Sequence, residues 1–102
     1  MSSNNTVMLK YIHMDAEKQA VKSQIAKWLF DHHLELQRVE GERISVAELA
    51  RRLDLSQPRL SRLMAENVND FPGGEITITL ANYFNDPTIY DIMGWPQPKC
   101  FE

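Results

Sequence analysis

The side chains best equipped for recognition chemistry stand in the stretch DLSQPRLSRLMAEN, residues 54–67. Arginine presents a rigid fork of N–H donors that pairs bidentately with phosphate or with the O6/N7 edge of guanine. The glutamine carboxamide pairs in the same way with the N6/N7 edge of adenine. Gln57, Arg59 and Arg62 all fall within this stretch. Their surroundings share the bias: all six arginines of the protein (38, 43, 51, 52, 59 and 62) lie between residues 38 and 66, against five acids. Residues 1–37 balance four lysines with four acids, and residues 67–102 carry one lysine against five acids. The formal net charge of −3 weakens long-range attraction to a polyanion, whereas the local arginine density favours contact with one.

Catalytic or metal chemistry finds no comparable support. His32 and His33 are adjacent, so on a helix they point about 100° apart, a poor arrangement for one metal ion. Cys100 is the single cysteine and cannot form an internal disulfide; it reads as a bystander thiol in a reducing, cytoplasmic setting. The chain carries no nucleophile–base pair, carboxylate constellation, glycine-rich phosphate loop or ligand cluster. The expectation is a protein that is not an enzyme and uses no cofactor or metal. With 102 residues, 43% apolar and 25% charged, the composition is that of one soluble globular domain. No apolar run approaches the roughly 18 residues of a membrane span, and the start MSSNN does not read as a signal peptide.

Positioning the arginines is a task for helices. From Asp15 to Arg38 the chain has no Gly or Pro, and Val21, Ile25, Trp28, Leu29, His32 and Leu36 recur at helical spacing. This predicts one long amphipathic helix, or two joined ones, with Asp15 as the cap. Gly41 breaks the pattern. Ser45 with Glu48 then forms an S-x-x-E capping box, ahead of a helix with Leu49 and Leu53 on its apolar edge and the small Ala50 beside them. Ser56 can cap a second helix with Leu60, Leu63 and Met64 inside. Pro58 falls at its second position, where a missing N–H breaks no internal hydrogen bond. Only about three residues separate the two helices, so they must meet at a steep angle.

FPGG marks a loop. EITITLANYF reads either as an alternating strand (Ile76, Ile78, Leu80) or as a helix with the stripe Ile76, Leu80, Tyr83 and Phe84. A strand would find only the short apolar patch at residues 7–12 as a partner, so helix is the expectation. Asp86 and Pro87 then suit the cap and first position of a short helix, DPTIYDIM, ended by Gly94. The organisation expected is an N-terminal arm at residues 1–14, an all-α domain of about five compactly bundled helices at residues 15–94, and an extended tail at residues 95–102.

In VAELARRLDLSQPRLSRLM, apolar residues stand at Val46, Leu49, Leu53, Leu55, Leu60 and Leu63, with the small Ala50 among them. Two helices crossing over a tight turn need a small side chain where their axes approach and apolar ones to close the wedge. This pattern resembles the helix-turn-helix of the lambda-repressor-like (XRE/Cro) family of DNA-binding proteins. The resemblance covers about residues 15–94 and is strongest at residues 45–64. ITITLANYF and PTIYDIMGW are also similar to the later helices of that family. Two departures stand out. Asp54 occupies the turn position usually held by glycine, and it tolerates left-handed dihedrals better than most residues. Leu60 stands where the family often has a β-branched residue.

The resemblance implies a sequence-specific DNA-binding transcriptional regulator, most simply a repressor acting by occupancy. Its second motif helix would enter the major groove of double-stranded DNA. By the same resemblance, Gln57 matches a position that contacts a base or phosphate, and Arg62 one that touches base edges. Pro58, Arg59 and Ser61 share the face away from Leu60 and Leu63, with Ser56 at its start; Pro58 offers only apolar contact, as to a thymine methyl. Ser45 and the Val46 amide are placed to hold a phosphate. One such module covers only about 600–1,000 Å² of DNA, so a homodimer on a palindromic operator is expected. Ile92 and Trp95 are the expected apolar contributors to its interface. The alternative, from a different class, is a protein-interaction module on the same scaffold: an antitoxin, or a subunit that docks a protein partner through the acidic C-terminal third. No membrane partner is expected.

Overall fold

The carboxylate of Asp15 accepts a hydrogen bond from the Lys18 amide at 2.8 Å and opens helix α1, which runs unbroken as Ala16–Glu40. Gly41 ends it in the left-handed region at φ 74°, where a side chain would be strained, and its N–H returns to the Gln37 carbonyl. The computed structural model describes residues 15–98. The N-terminal arm, and Cys100 in the tail, lie outside the described residues. Within them there are four further α-helices and no strand: α2 (Val46–Arg52), α3 (Gln57–Leu63), α4 (Gly74–Phe84) and α5 (Thr88–Met93). No helix among the described residues is long and apolar enough to cross a membrane.

One core joins all five helices. Ile25, Trp28 and Leu29 come from α1, Leu49 and Ala50 from α2, Leu60 and Leu63 from α3, Leu80 and Ala81 from α4, and Ile89 and Tyr90 from α5; Ile44 and Leu53 fill in from the connections. Helix α2 packs on α3, while α5 packs on both α1 and α4. Helix α4 settles the strand-or-helix question for residues 75–84, and of its expected inner stripe Ile76, Leu80 and Phe84 lie against the core while Tyr83 alone faces outward. Thr77, Leu80 and Ala81 are buried and Phe84 half-buried, whereas Ile78 and Tyr83 face outward. The buried and half-buried positions Ile76, Thr77, Leu80, Ala81 and Phe84 form one stripe at period 3.6, and Tyr83 falls at its edge.

The corner between α4 and α5 departs from expectation by one position. Pro87, not Asp86, is the capping residue, and the helix begins at Thr88. Asp86 nonetheless does capping work, since its Oδ1 accepts from the Thr88 amide (3.0 Å) and hydroxyl (2.6 Å). Its Oδ2 reaches α1, accepting from Trp28 Nε1 at 3.0 Å and lying 2.7 Å from His32 Nε2. Burial alone would raise the pKa of this carboxyl. The hydrogen bonds from Thr88, His32 and Trp28 outweigh it and hold the group down at about 2. The His32 ring stacks on Phe84, with centroids 4.5 Å apart. His33 meanwhile contacts the Ile44 carbonyl at 2.5 Å, so the adjacent histidines serve separate structural contacts.

The least expected member of the interior is Lys22, whose side chain is fully buried. Its ammonium donates to the carbonyls of Arg62 (2.9 Å) and Leu63 (3.2 Å), and to that of Ala65. A cation from α1 thus closes the C-terminal end of α3, where free carbonyls and the helix dipole both favour positive charge. Burial pushes the lysine below its ordinary pKa, and the charge of Asp70 pushes partly back.

Candidate nucleic-acid interface

Helices α2 and α3 are each two turns long and depend on their caps. Ser45 Oγ accepts from the Glu48 amide at 3.0 Å, and Ser56 Oγ accepts from the Arg59 amide at 3.2 Å. The capping box at Ser45 is only half formed, because the Glu48 carboxylate turns away to Arg51 and Arg52. Residues 53–56 make the connection. Asp54 takes the left-handed conformation at φ 58°, its N–H bonds to the Arg51 carbonyl, and the Leu55 N–H bonds to that of Ala50. An aspartate bears this conformation at modest cost, so the position does not require glycine. Ala50, Leu49, Leu53, Leu60 and Leu63 are all buried where the two helices close together. Pro58 sits at the second position of α3, within its unbonded first turn.

The outward face of α3 carries Gln57, Pro58, Ser61 and Arg62, all exposed, with exposed Ser56 at its start. Arg59 is not part of that face. It is half-buried and folds back along the loop after α3, where Nη2 donates to the Phe71 carbonyl at 3.2 Å and Nε lies 3.2 Å from Asp70 Oδ2. The same oxygen accepts from Arg62 Nε at 3.0 Å. Arg62 remains about half exposed, at 51% of its side chain, and its Nη1 and Nη2 have no hydrogen-bond partner among the described residues. At the start of α2, Ser45 is exposed and Val46 half-buried.

The arginine cluster is far less basic than its count. Arg51 pairs with Glu48 at 2.5 Å, Arg52 bridges Glu40 at 2.5 Å and Glu48 at 2.9 Å, and Arg38 pairs with Glu35. Hydrogen bonds from Arg51 and then Arg52 bring the Glu48 pKa down to about 2, so it stays ionised across ordinary pH. Of the six arginines, only Arg43 lacks a carboxylate partner among the described residues. Within the arginine cluster, the charge available to a polyanion is therefore concentrated in Arg43 and the outer nitrogens of Arg62. Glu48, in the first turn of α2, also competes with any anion at that helix start.

The residues expected at a subunit interface part company. Ile92 is half-buried against the chain's own core, whereas Trp95 is exposed at 37%. Two residues that matter to the site carried no motif. Lys22 could have been noticed as a cation on the stripe shared by Ile25 and Leu29. Asp70, in the loop that follows α3, matches no pattern. Comparisons of the chain with protein-family models, with curated proteins and with solved structures find no match.

Proposed function

We propose that α2, the turn and α3 act as a helix-turn-helix that reads double-stranded DNA, with α3 in the major groove. The protein would then be a sequence-specific transcriptional regulator. The observation that carries this reading is the face of α3: Gln57, Pro58, Ser61 and Arg62 stand exposed together, and the terminal nitrogens of Arg62 are uncommitted among the described residues. A helix of two turns, capped by Ser56 at one end and by Lys22 at the other, is a rigid mount for such a reading head. A homodimer on a two-fold site, with Trp95 contributing to its contact, would double the small area one module offers. The test is selection of bound fragments from random duplex DNA, followed by anisotropy titrations of the preferred site. Arg62→Ala should cost about 1–3 kcal/mol there and flatten the preference at one base pair. Equal weakening on all sequences would assign Arg62 to phosphate, and no binding to any duplex at low salt would end the reading.

A second reading, docking of a protein partner, has its own support. Phe30 and Leu34 are exposed on α1 at 53% and 49%, one turn apart, beside a groove of about 670 Å³ that runs to Ile44 and Val46. Retention of wild-type affinity for random duplex in a Phe30→Ser/Leu34→Ser variant would separate that surface from the DNA face.

A further inference from the structure

Asp70 stands between the two arginines of α3, and what it does to each is different. Its own N–H bonds to the Val68 carbonyl at 2.9 Å, so the backbone that carries it is held in a tight turn. Its side chain is only 22% exposed, and one oxygen, Oδ2, faces both guanidinium groups. Arg59 is drawn inward by a second acceptor, the Phe71 carbonyl, and is spent on closing the loop against α3. Arg62 is held by Nε alone. A guanidinium anchored through Nε is restricted in its rotamers, while Nη1 and Nη2 keep their donors uncommitted among the described residues. End-on contact through two terminal nitrogens is one of the geometries that recognises a pair of acceptors such as guanine O6 and N7.

Resting on the DNA-binding reading above, we infer that Asp70 is the positioning residue for recognition: it fixes Arg62 to present its terminal nitrogens to one guanine, at the cost of some general attraction to phosphate. An unanchored Arg62 would carry more rotamer freedom into the complex and lose it on binding. It would also move readily to a backbone phosphate, which carries no sequence information. The carboxylate gives up phosphate affinity because it places a negative charge beside the reading face. Asp70 therefore makes two opposite contributions, and removing it should separate them.

The test compares wild type, Asp70→Ala, Asp70→Asn, Arg62→Ala and the Arg62→Ala/Asp70→Ala double variant. Each is titrated with the selected duplex, its single-base variants and random duplex, at several salt concentrations. Asp70→Ala should lower discrimination at the guanine read by Arg62 about tenfold. It should bind random duplex more tightly at low salt, the gain fading as salt is added. In the Arg62→Ala background the same change should leave discrimination where it is and still tighten random binding. Asp70→Asn keeps an acceptor oxygen without the charge, so it should tighten random binding yet retain most of the discrimination. Asp70→Ser, whose hydroxyl is too short to reach Arg62 Nε, should lose discrimination as Asp70→Ala does and decides the matter if the alanine variant does not fold.

Undiminished discrimination in folded Asp70→Ala overturns the proposal, and so does its loss in Asp70→Asn. An equal loss in the Arg62→Ala background overturns it as well, by assigning the effect to some other group. If wild type itself binds DNA with no base preference, the reading of the α3 face fails first and takes this inference with it. The wild-type titration alone makes that failure distinguishable from the others.

Discussion

Replacing Lys22 by methionine is the sharpest perturbation of the machinery that holds α3. Methionine keeps the unbranched apolar stem and roughly the reach of lysine, so the volume this buried side chain fills is largely preserved. What disappears is the ammonium and its bonds to the carbonyls of Arg62, Leu63 and Ala65. The Arg62 carbonyl has substitutes, because it also accepts from the amides of Met64 and Ala65. Those of Leu63 and Ala65 accept from no other donor among the described residues. A buried acceptor left unpaired costs about 1–3 kcal/mol; the Leu63 carbonyl bears this in full and the part-buried Ala65 carbonyl in part, giving about 2–5 kcal/mol for the two. Relief of the desolvation penalty on the buried ammonium, and water entry at the helix end, offset part of this. The expected net loss is about 2–4 kcal/mol, or roughly 10–25 °C in Tm for a domain of this size. Urea titration followed by the fluorescence of buried Trp28 measures it, and an unchanged slope against urea would show that the denatured state is not the cause. A Lys22→Met protein within about 0.5 kcal/mol of wild type, or more stable, would refute the view that this cation completes α3.

Three other outcomes are expected. Asp86 has a folded pKa of about 2, below its unfolded value, so its stabilisation is complete above the ordinary aspartate range and is lost as pH falls toward 2. Asp86→Asn should therefore destabilise at neutral pH by about 2 kcal/mol and flatten the pH dependence between about pH 4 and pH 2 in urea titrations. Pro58→Ser changes an exposed first-turn residue, so it should alter stability by less than about 1 kcal/mol while shifting the base composition of selected duplexes; a larger loss on thermal melting would mean that the ring is packed inside. In sedimentation equilibrium Trp95→Ala should weaken self-association without unfolding the chain, whereas Ile92→Ala should chiefly lower stability, since Ile92 already packs on its own core.

Features that depend on neighbours within a turn or two were legible in the sequence. Asp15, Ser45 and Ser56 each cap a helix, Gly41 and Gly94 each end one, and the leucines of α2 and α3 are buried together. In each case a local preference, capping or period 3.6, agreed with the tertiary demand. Departures arose where side chains had competing partners or distant ones. Tyr83 fell outside the inner stripe of α4, and Glu48 left its reciprocal capping role because two arginines one turn along its own helix offered charged partners, a competition the capping motif alone does not show. Lys22 and Asp86 act across 40 and 54 residues of chain, to Arg62 and His32 respectively, separations at which no periodicity carries a signal.

The arginines show the same limit in the quantity that matters most for function. Counting charge along the chain makes residues 38–66 the basic segment, yet pairing with Glu35, Glu40, Glu48 and Asp70 removes most of that excess from the surface. Availability, not number, sets what a polyanion would meet, and availability is a property of side-chain contacts. The loop after α3 is where these contacts converge. It supplies the Ala65 carbonyl to Lys22, the Phe71 carbonyl to Arg59 and the Asp70 carboxylate to Arg62. The end of the helix and the setting of its outermost arginine are thus held by one short segment. Any change that loosens this loop should be felt twice, as lost stability and as blurred selectivity, whereas a change confined to the outer face, such as Pro58→Ser, should be felt only in the second.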